Sequence, residues 1–250
     1  MESSGEEPRL PEIDPITLRV SLKTSARFQF GTRVIQATGT VSDHAHPNVL
    51  RLRIQQSFLQ RAVQTLFHMV STVTGSWLQS NFPEWFLPEN IVLKSQKPDW
   101  EDEFNRELTA YHKLSNIQGI IIPQLYGIID YRNTHTLVLS DIGGHCLATP
   151  QGAVLDKEDL RPLLRQAFTS FAELGAYHDD IKLDNFHLVT QEGKDKIMVV
   201  DLESVYFDLS GEELASVSNG DSAWLIEQYE NHLECMEYDG VVLPKRPLKV

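Results

Sequence analysis

Residues 178–185 read HDDIKLDN, which places three acidic side chains, a lysine and an asparagine in eight positions between two apolar elements. Upstream, Leu160, Leu163, Leu164, Ala167, Phe168, Phe171 and Leu174 recur at the spacing of a helix with one buried face, and Gly175 supplies a stop. Downstream, FHLV (186–189) and KIMVVDL (196–202) flank TQEGKD, a glycine-containing hairpin turn. The hairpin's first strand begins just after Asn185, and Asp201 lies at the end of its second strand. Antiparallel pairing returns the chain, so the spacing brings Asp201 back beside the polar octet.

The first third of the chain is strand-rich. ITLRVSLK (16–23), RVIQATGTV (33–41) and VLRLRI (49–54) alternate apolar and polar residues and read as strands, with a turn at SDHAHPN. Between Ser57 and Phe82, Leu59, Val63, Leu66, Phe67 and Val70 recur at helical spacing, while the Val, Thr and aromatic content also suits strands; that segment stays open. NFPEWFLPEN (81–90) reads as a packed loop. ENIVLKS reads as a strand carrying Lys94 near its end, and Pro98-Asp99 then starts a helix with Phe104, Leu108, Tyr111 and Leu114 at helical spacing. GIIIPQLYGIIDY and HTLVLSD read as two strands joined by the turn RNT, after which Gly143-Gly144 breaks the pattern.

Composition narrows the partners. A chain of 250 residues, 41% hydrophobic and 23% charged, can bury one large core or two lobes with a shared interface. A net charge of −13, with no Lys/Arg-rich run, argues against nucleic acid and anionic lipid as partners. Cys146 and Cys235 are too few for a disulfide framework or a four-thiolate zinc site, which favours a reducing compartment. His44 and His46, without Cys or carboxylate neighbours at ligand spacing, read as a solvated turn. Residues 1–14 are acidic, lack the basic-then-apolar pattern of a signal peptide, and read as disordered. The longest uncharged stretch, Ala62 to Phe82, carries polar residues throughout and does not suit a membrane span. An intracellular location, cytoplasmic or nuclear, is the expectation.

A strand with Lys94, a helix with Glu107, two strands, a break, a long helix, the acidic octet and a hairpin ending at Asp201 form an ordered series. From about Asn90 to Tyr206 this series resembles the protein-kinase-like superfamily. HDDIKLDN resembles the catalytic loop His-Arg-Asp-Leu-Lys-x-x-Asn, VVDLE the magnesium-binding Asp-Phe-Gly, and IVLK the Val-Ala-Ile-Lys strand. The resemblance implies an α+β, bilobal fold with a strand-rich N-lobe (15–139), then a hinge and a truncated, mainly helical C-lobe (140–250). It also implies an ATP- and magnesium-dependent phosphotransferase, with a nucleotide and a protein or small-molecule phosphate acceptor as partners. Asp180 is then the carboxylate that orients the attacking hydroxyl, and Lys182 reaches the transferring phosphate. Asn185 and Asp201 are the implied metal ligands, and Lys94 meets the α- and β-phosphates, held by Glu107 with Glu103 as the alternate. LVLSDI is the implied joint between lobes, where backbone groups meet adenine. The residue types suit that chemistry, because phosphoryl transfer needs positioning, oxygen ligands for magnesium and a cation on the phosphates.

The pattern is incomplete. No Gly-x-Gly-x-x-Gly precedes Lys94, Glu203 stands where the magnesium motif has its glycine, and the short remainder after Asp201 holds no Ala-Pro-Glu. Glu203 is similar to the Asp-x-Asp or Asp-x-Glu motif of aminoglycoside- and choline-kinase-like enzymes, whereas Lys182 is the protein-kinase residue. Short, divergent kinase-like proteins of fungi are the nearest resemblance. Three functions remain open: a protein-kinase-type phosphotransferase, a small-molecule kinase, and a pseudokinase that binds without turnover. His178 reads as a structural residue bonded to the loop backbone.

Overall fold

Six strands form a curled antiparallel sheet in the computed structural model, which describes residues 23–43, 46–74 and 76–250. The expected disordered segment 1–14, nearly all of the strand expected over 16–23, and His44 lie outside the described residues. The first strand is instead β1 (Lys23–Phe30), in which Ala26, Phe28 and Phe30 point inward; it pairs with β2 (Arg33–Asp43) across the Gly31-Thr32 turn. Next come β3 (His46–Gln55), helices α1 (Phe58–Thr74) and α2 (Ser76–Asn81), and β4 (Asn90–Ser95). The segment that the sequence left open is therefore helical. Its connection to β4 is packed as expected: Phe67 stacks on Trp85 at 5.5 Å, and Leu87 is fully buried.

Helix α3 (Glu101–Lys113) precedes the hairpin of β5 (Leu125–Tyr131) and β6 (Thr134–Ser140). Arg132 and Asn133 turn this hairpin in the left-handed region, at φ 54° and 61°. The strand order is β1-β2-β3-β4-β6-β5, and the two outermost strands curl toward each other until Phe28 meets Tyr131 edge-on at 6.2 Å. Ile91 and Leu93 of β4 fill the core inside that curl. Each such burial contributes about 2 kcal/mol.

A second core lies beyond β6. After the short β7 (His145–Cys146), α4 (Lys157–Glu173) buries Leu160, Leu164, Ala167, Phe168 and Phe171. Gly175 ends α4 with φ 74°, and the Ala176 N–H returns to the Phe171 carbonyl, closing the turn that the glycine signalled. Two-residue strands β8 (Tyr177–His178) and β11 (Val205–Tyr206) bracket the hairpin of β9 (Phe186–Gln191) and β10 (Lys194–Val199). Gly144, at φ 66°, lets the chain pass β9 so closely that a Cβ there would lie 2.4 Å from the Leu188 carbonyl oxygen. Helix α5 (Gly211–Tyr238) opens with a reciprocal Ser210–Glu213 cap and buries Leu225, Ile226 and Tyr229 against α4. This helix lies outside the elements expected from the sequence. The architecture is mixed α+β with five α-helices among the described residues, and none of these helices is long and apolar enough to cross a membrane.

Candidate functional site

Strand alternation decides where Lys94 points. Ile91 and Leu93 face the curled-sheet core, so Val92 and Lys94 face the opposite side, toward α3. On α3, Phe104, Glu107 and Tyr111 lie on one buried stripe, one turn apart. The stripe carries the Glu107 carboxylate, 1% exposed, to 2.7 Å from Lys94 Nζ. Glu107 is the partner; Glu103 remains partly exposed on the first turn.

The two loops that the hairpin brings together meet at the same lysine. The β8–β11 pair ties the start of the 179–185 loop to the end of the 201–204 turn, and the Asp179 N–H bonds to the Ser204 carbonyl at 2.9 Å. His178 lies beneath, 3.0 Å from the Asp201 carbonyl through Nε2. A carbonyl only accepts, so Nε2 carries the proton, and the histidine is the backbone-bonding residue the sequence suggested. Asp201 sits in the left-handed region at φ 62° and places Oδ1 2.6 Å from Lys94 Nζ. The Val200 N–H bonds to the Asn185 carbonyl, which fixes the two loops side by side.

Asp180 and Lys182 form a pair of their own, 2.6 Å apart and both substantially exposed. Asn185 Nδ2 donates to the Asp180 carbonyl at 2.9 Å and to Asp180 Oδ2 at 3.1 Å. Lys94, Glu107, Asn185 and Asp201 line one cleft of about 380 Å³, within the range of small-molecule pockets. Asp180 and Lys182 do not line it; they join it through Asn185.

Charge governs the inner end of the cleft. Burial alone would lower the Lys94 pKa, but Glu107, Asp201 and Glu203 hold it well above the ordinary lysine value. Burial raises Glu107, with the Lys94 ammonium opposing. Burial works against ionisation of Asp201 and Asp180 as well, yet lysine partners depress both: Lys94 for Asp201, and Lys182, aided by Asn185, for Asp180. Burial lowers His178, which keeps it neutral at its buried bond.

Glu107, Asp201 and Glu203 bring carboxylate oxygens within 4.8 Å of one another. Lys94 Nζ reaches all three, at 2.7, 2.6 and 3.1 Å, so the trio as it stands is a cage for an ammonium group. The oxygens suited to a hard cation lie next to it. Asn185 has its amide nitrogen committed to Asp180, and among the described residues no hydrogen bond occupies its side-chain oxygen, while Asp201 spends only Oδ1 on Lys94. That donor set fits magnesium, which takes oxygen ligands and keeps several waters.

Several residues of the site carried no signal in a single sequence. Glu203 departs from the resembled magnesium motif in the sequence, but nothing there points to its partners Lys97 and Arg106. Arg51 on β3 and His187 on β9 line the same cleft, and His187 is lowered to about 4 by burial, then by Arg51. His46 and Asn48, at the start of β3, also line the cleft, and no glycine-rich stretch occurs there in the sequence. In comparisons with known proteins, no family model and no curated protein matches the chain.

The arrangement combines a buried lysine held between carboxylates and the oxygen donors of Asn185 and Asp201 in one cleft, with the partly exposed Asp180 carboxylate joined to it through Asn185. Such a set can neutralise an anionic ligand and orient a nucleophile beside it.

Proposed function

We propose that this chain is an ATP- and magnesium-dependent phosphotransferase on a bilobal protein-kinase-like fold, with a hydroxyl group of a protein or small molecule as acceptor. The curled sheet with α3 would be the first lobe, and the region after Ser140 the second. One observation carries the reading: Lys94 bridges Glu107 on the helix after its own strand and Asp201 from the far loop, at 2.7 and 2.6 Å. Phosphate positioning calls for a lysine fixed by a helix glutamate next to a metal-binding aspartate.

In this reading Lys94 turns from Asp201 to the phosphates when nucleotide enters, while Glu107 keeps it in place. Asn185 and Asp201 would hold magnesium, which supplies charge neutralisation on the phosphate oxygens. Asp180 orients the acceptor hydroxyl and takes its proton, and Lys182 lies alongside to meet the transferring group. His46 and Asn48 stand at the cleft in place of a glycine-rich flap.

A second reading, a nucleotide-binding module without turnover, draws on a different observation. Lys182 sits 2.6 Å from Asp180 Oδ2 and competes for the carboxylate that would receive the proton.

Thermal unfolding with ATP and magnesium, together and singly, tests the nucleotide site common to both. A ligand at a hundred times its dissociation constant adds about 2.7 kcal/mol to the native state, a rise in Tm of roughly 5–10 °C for a chain of this size. The expected result is a rise that needs both components and disappears in Asp201→Asn. No rise with nucleotide and metal together removes the proposal.

A further inference from the structure

Three cations converge on Glu203. Its Oε1 lies 3.1 Å from Lys94 Nζ and its Oε2 2.9 Å from Lys97 Nζ, while its backbone carbonyl accepts a hydrogen bond from Arg106 Nη1 at 3.0 Å. Lys94 belongs to β4, Lys97 to the connection that follows, and Arg106 to α3. Two of these partners are themselves supported. Lys97 Nζ stands 4.3 Å from the Trp100 ring centre, and the Arg106 guanidinium 5.0 Å from that of Tyr206.

We propose that Glu203 is a positioning residue, which fastens α3 and β4 to the Asp201 loop through Lys97, Arg106 and Lys94 and does not itself bind metal. The inference rests on the reading of the cleft as a magnesium–nucleotide site. Both Glu203 oxygens are engaged by ammonium groups in a side chain only 12% exposed, so direct coordination would first break a largely buried ion pair. Lys94 Nζ lies within ion-pair distance of Glu107, Asp201 and Glu203 together. Asp201 meets Lys94 through Oδ1, and among the described residues no hydrogen bond occupies Oδ2. A glycine at residue 203 could make none of the side-chain contacts. The carboxylate ties the 202–204 turn to β4 and to the connection after it, and the backbone carbonyl ties the same turn to α3, in the folded chain before any ligand enters.

Hydrogen exchange of the ligand-free full chain, together with Mn²⁺ binding in the presence of ADP followed by electron paramagnetic resonance, tests the assignment. Lys97→Met and Glu203→Gln should each speed exchange of amides in 101–107 and 201–206 by about tenfold, the scale of coupling within one ion-pair network. The double variant should be no faster than either single one. Mn²⁺–ADP binding to Glu203→Gln should weaken by about tenfold yet keep its stoichiometry, as for a residue that supports the ligands from behind. Unchanged exchange in both single variants, or complete loss of Mn²⁺ from Glu203→Gln with exchange unchanged, overturns the inference. Failure of the wild-type chain to bind Mn²⁺–ADP instead removes the nucleotide reading, whatever the exchange shows.

Discussion

Lys94 and Asp201 stand 107 positions apart in the chain and 2.6 Å apart in space. The contacts of Lys94 with Glu107 and Asp201 are not local: Glu107 arrives because α3 presents its buried stripe to β4, and Asp201 because the β9–β10 hairpin returns the chain. The ion pair therefore ties the curled sheet to the region after β6 at the inner end of the cleft.

Replacing Lys94 by methionine leaves Glu107, Asp201 and Glu203 facing one another within 4.8 Å. Removing one partner of a buried charge network costs about 3–5 kcal/mol. The deprived carboxylates would have raised pKa values, so the folded variant binds protons more readily than its unfolded form. Stability lost at pH 7 should then return in part as the pH is lowered toward about 5. Urea unfolding at the two pH values checks this; an equal deficit at both contradicts the electrostatic account.

His187 gives the opposite slope in the wild-type chain. Its pKa is lowered from 6.5 to about 4, by burial first and then by Arg51. Between those values the unfolded chain holds the proton and the folded chain does not. The contribution is therefore present above pH 6.5 and is lost as pH falls toward 4, reaching about 3 kcal/mol. In His187→Leu the dependence of unfolding free energy on pH over that window should flatten. An unaltered slope would place the titration elsewhere.

The C-terminal segment is clipped to the β9–β10 hairpin through Asp195, whose carboxylate is fully buried. Arg246 binds it through Nη1 and Nη2 at 2.6 and 3.0 Å, and the Lys249 N–H and Thr190 hydroxyl also donate to it. Burial works against ionisation, yet Arg246 leads a set of partners that lowers Asp195 from 3.8 to about 2. A depressed carboxylate stabilises above its unfolded pKa and loses that contribution as pH falls through the folded one, here about 2 kcal/mol between pH 4 and 2. Arg246→Ala should cost about the same at pH 7 and remove most of this acid dependence. Differential scanning calorimetry across that range reads both effects.

Short-range pattern carried the parts of the site built on regular elements. Alternation along NIVLKS separates Lys94 from Ile91 and Leu93, and one helical turn on either side of Glu107 puts it in register with Phe104 and Tyr111. Gly175 and the Glu192-Gly193 turn were legible because each needs a backbone conformation that few residues adopt readily. Helix α5 was missed because Ser-Asn-Gly-Asp-Ser at 218–222 interrupts its apolar spacing; the Ser210–Glu213 cap was the available signal. Strand β1 has the alternation of Ala26, Phe28 and Phe30, but the expected strand was placed over 16–23. The contacts of Glu203 with Lys97 and Arg106 could not be read at all, since they depend on how α3 packs on the 202–204 turn.

The most direct measurement is magnesium-dependent formation of ADP from ATP by the wild-type chain and by Asp180→Ala, with generic protein substrates and a panel of hydroxylated and aminated small molecules as acceptors. Asp180 is partly exposed and outside the buried lysine cage, so its removal should leave nucleotide binding intact. The account predicts that turnover falls by about 10²–10⁴, the range for loss of a positioned acid–base group, while the ATP-induced rise in Tm persists. Equal turnover in the two proteins, or none in the wild type with any acceptor, would contradict it.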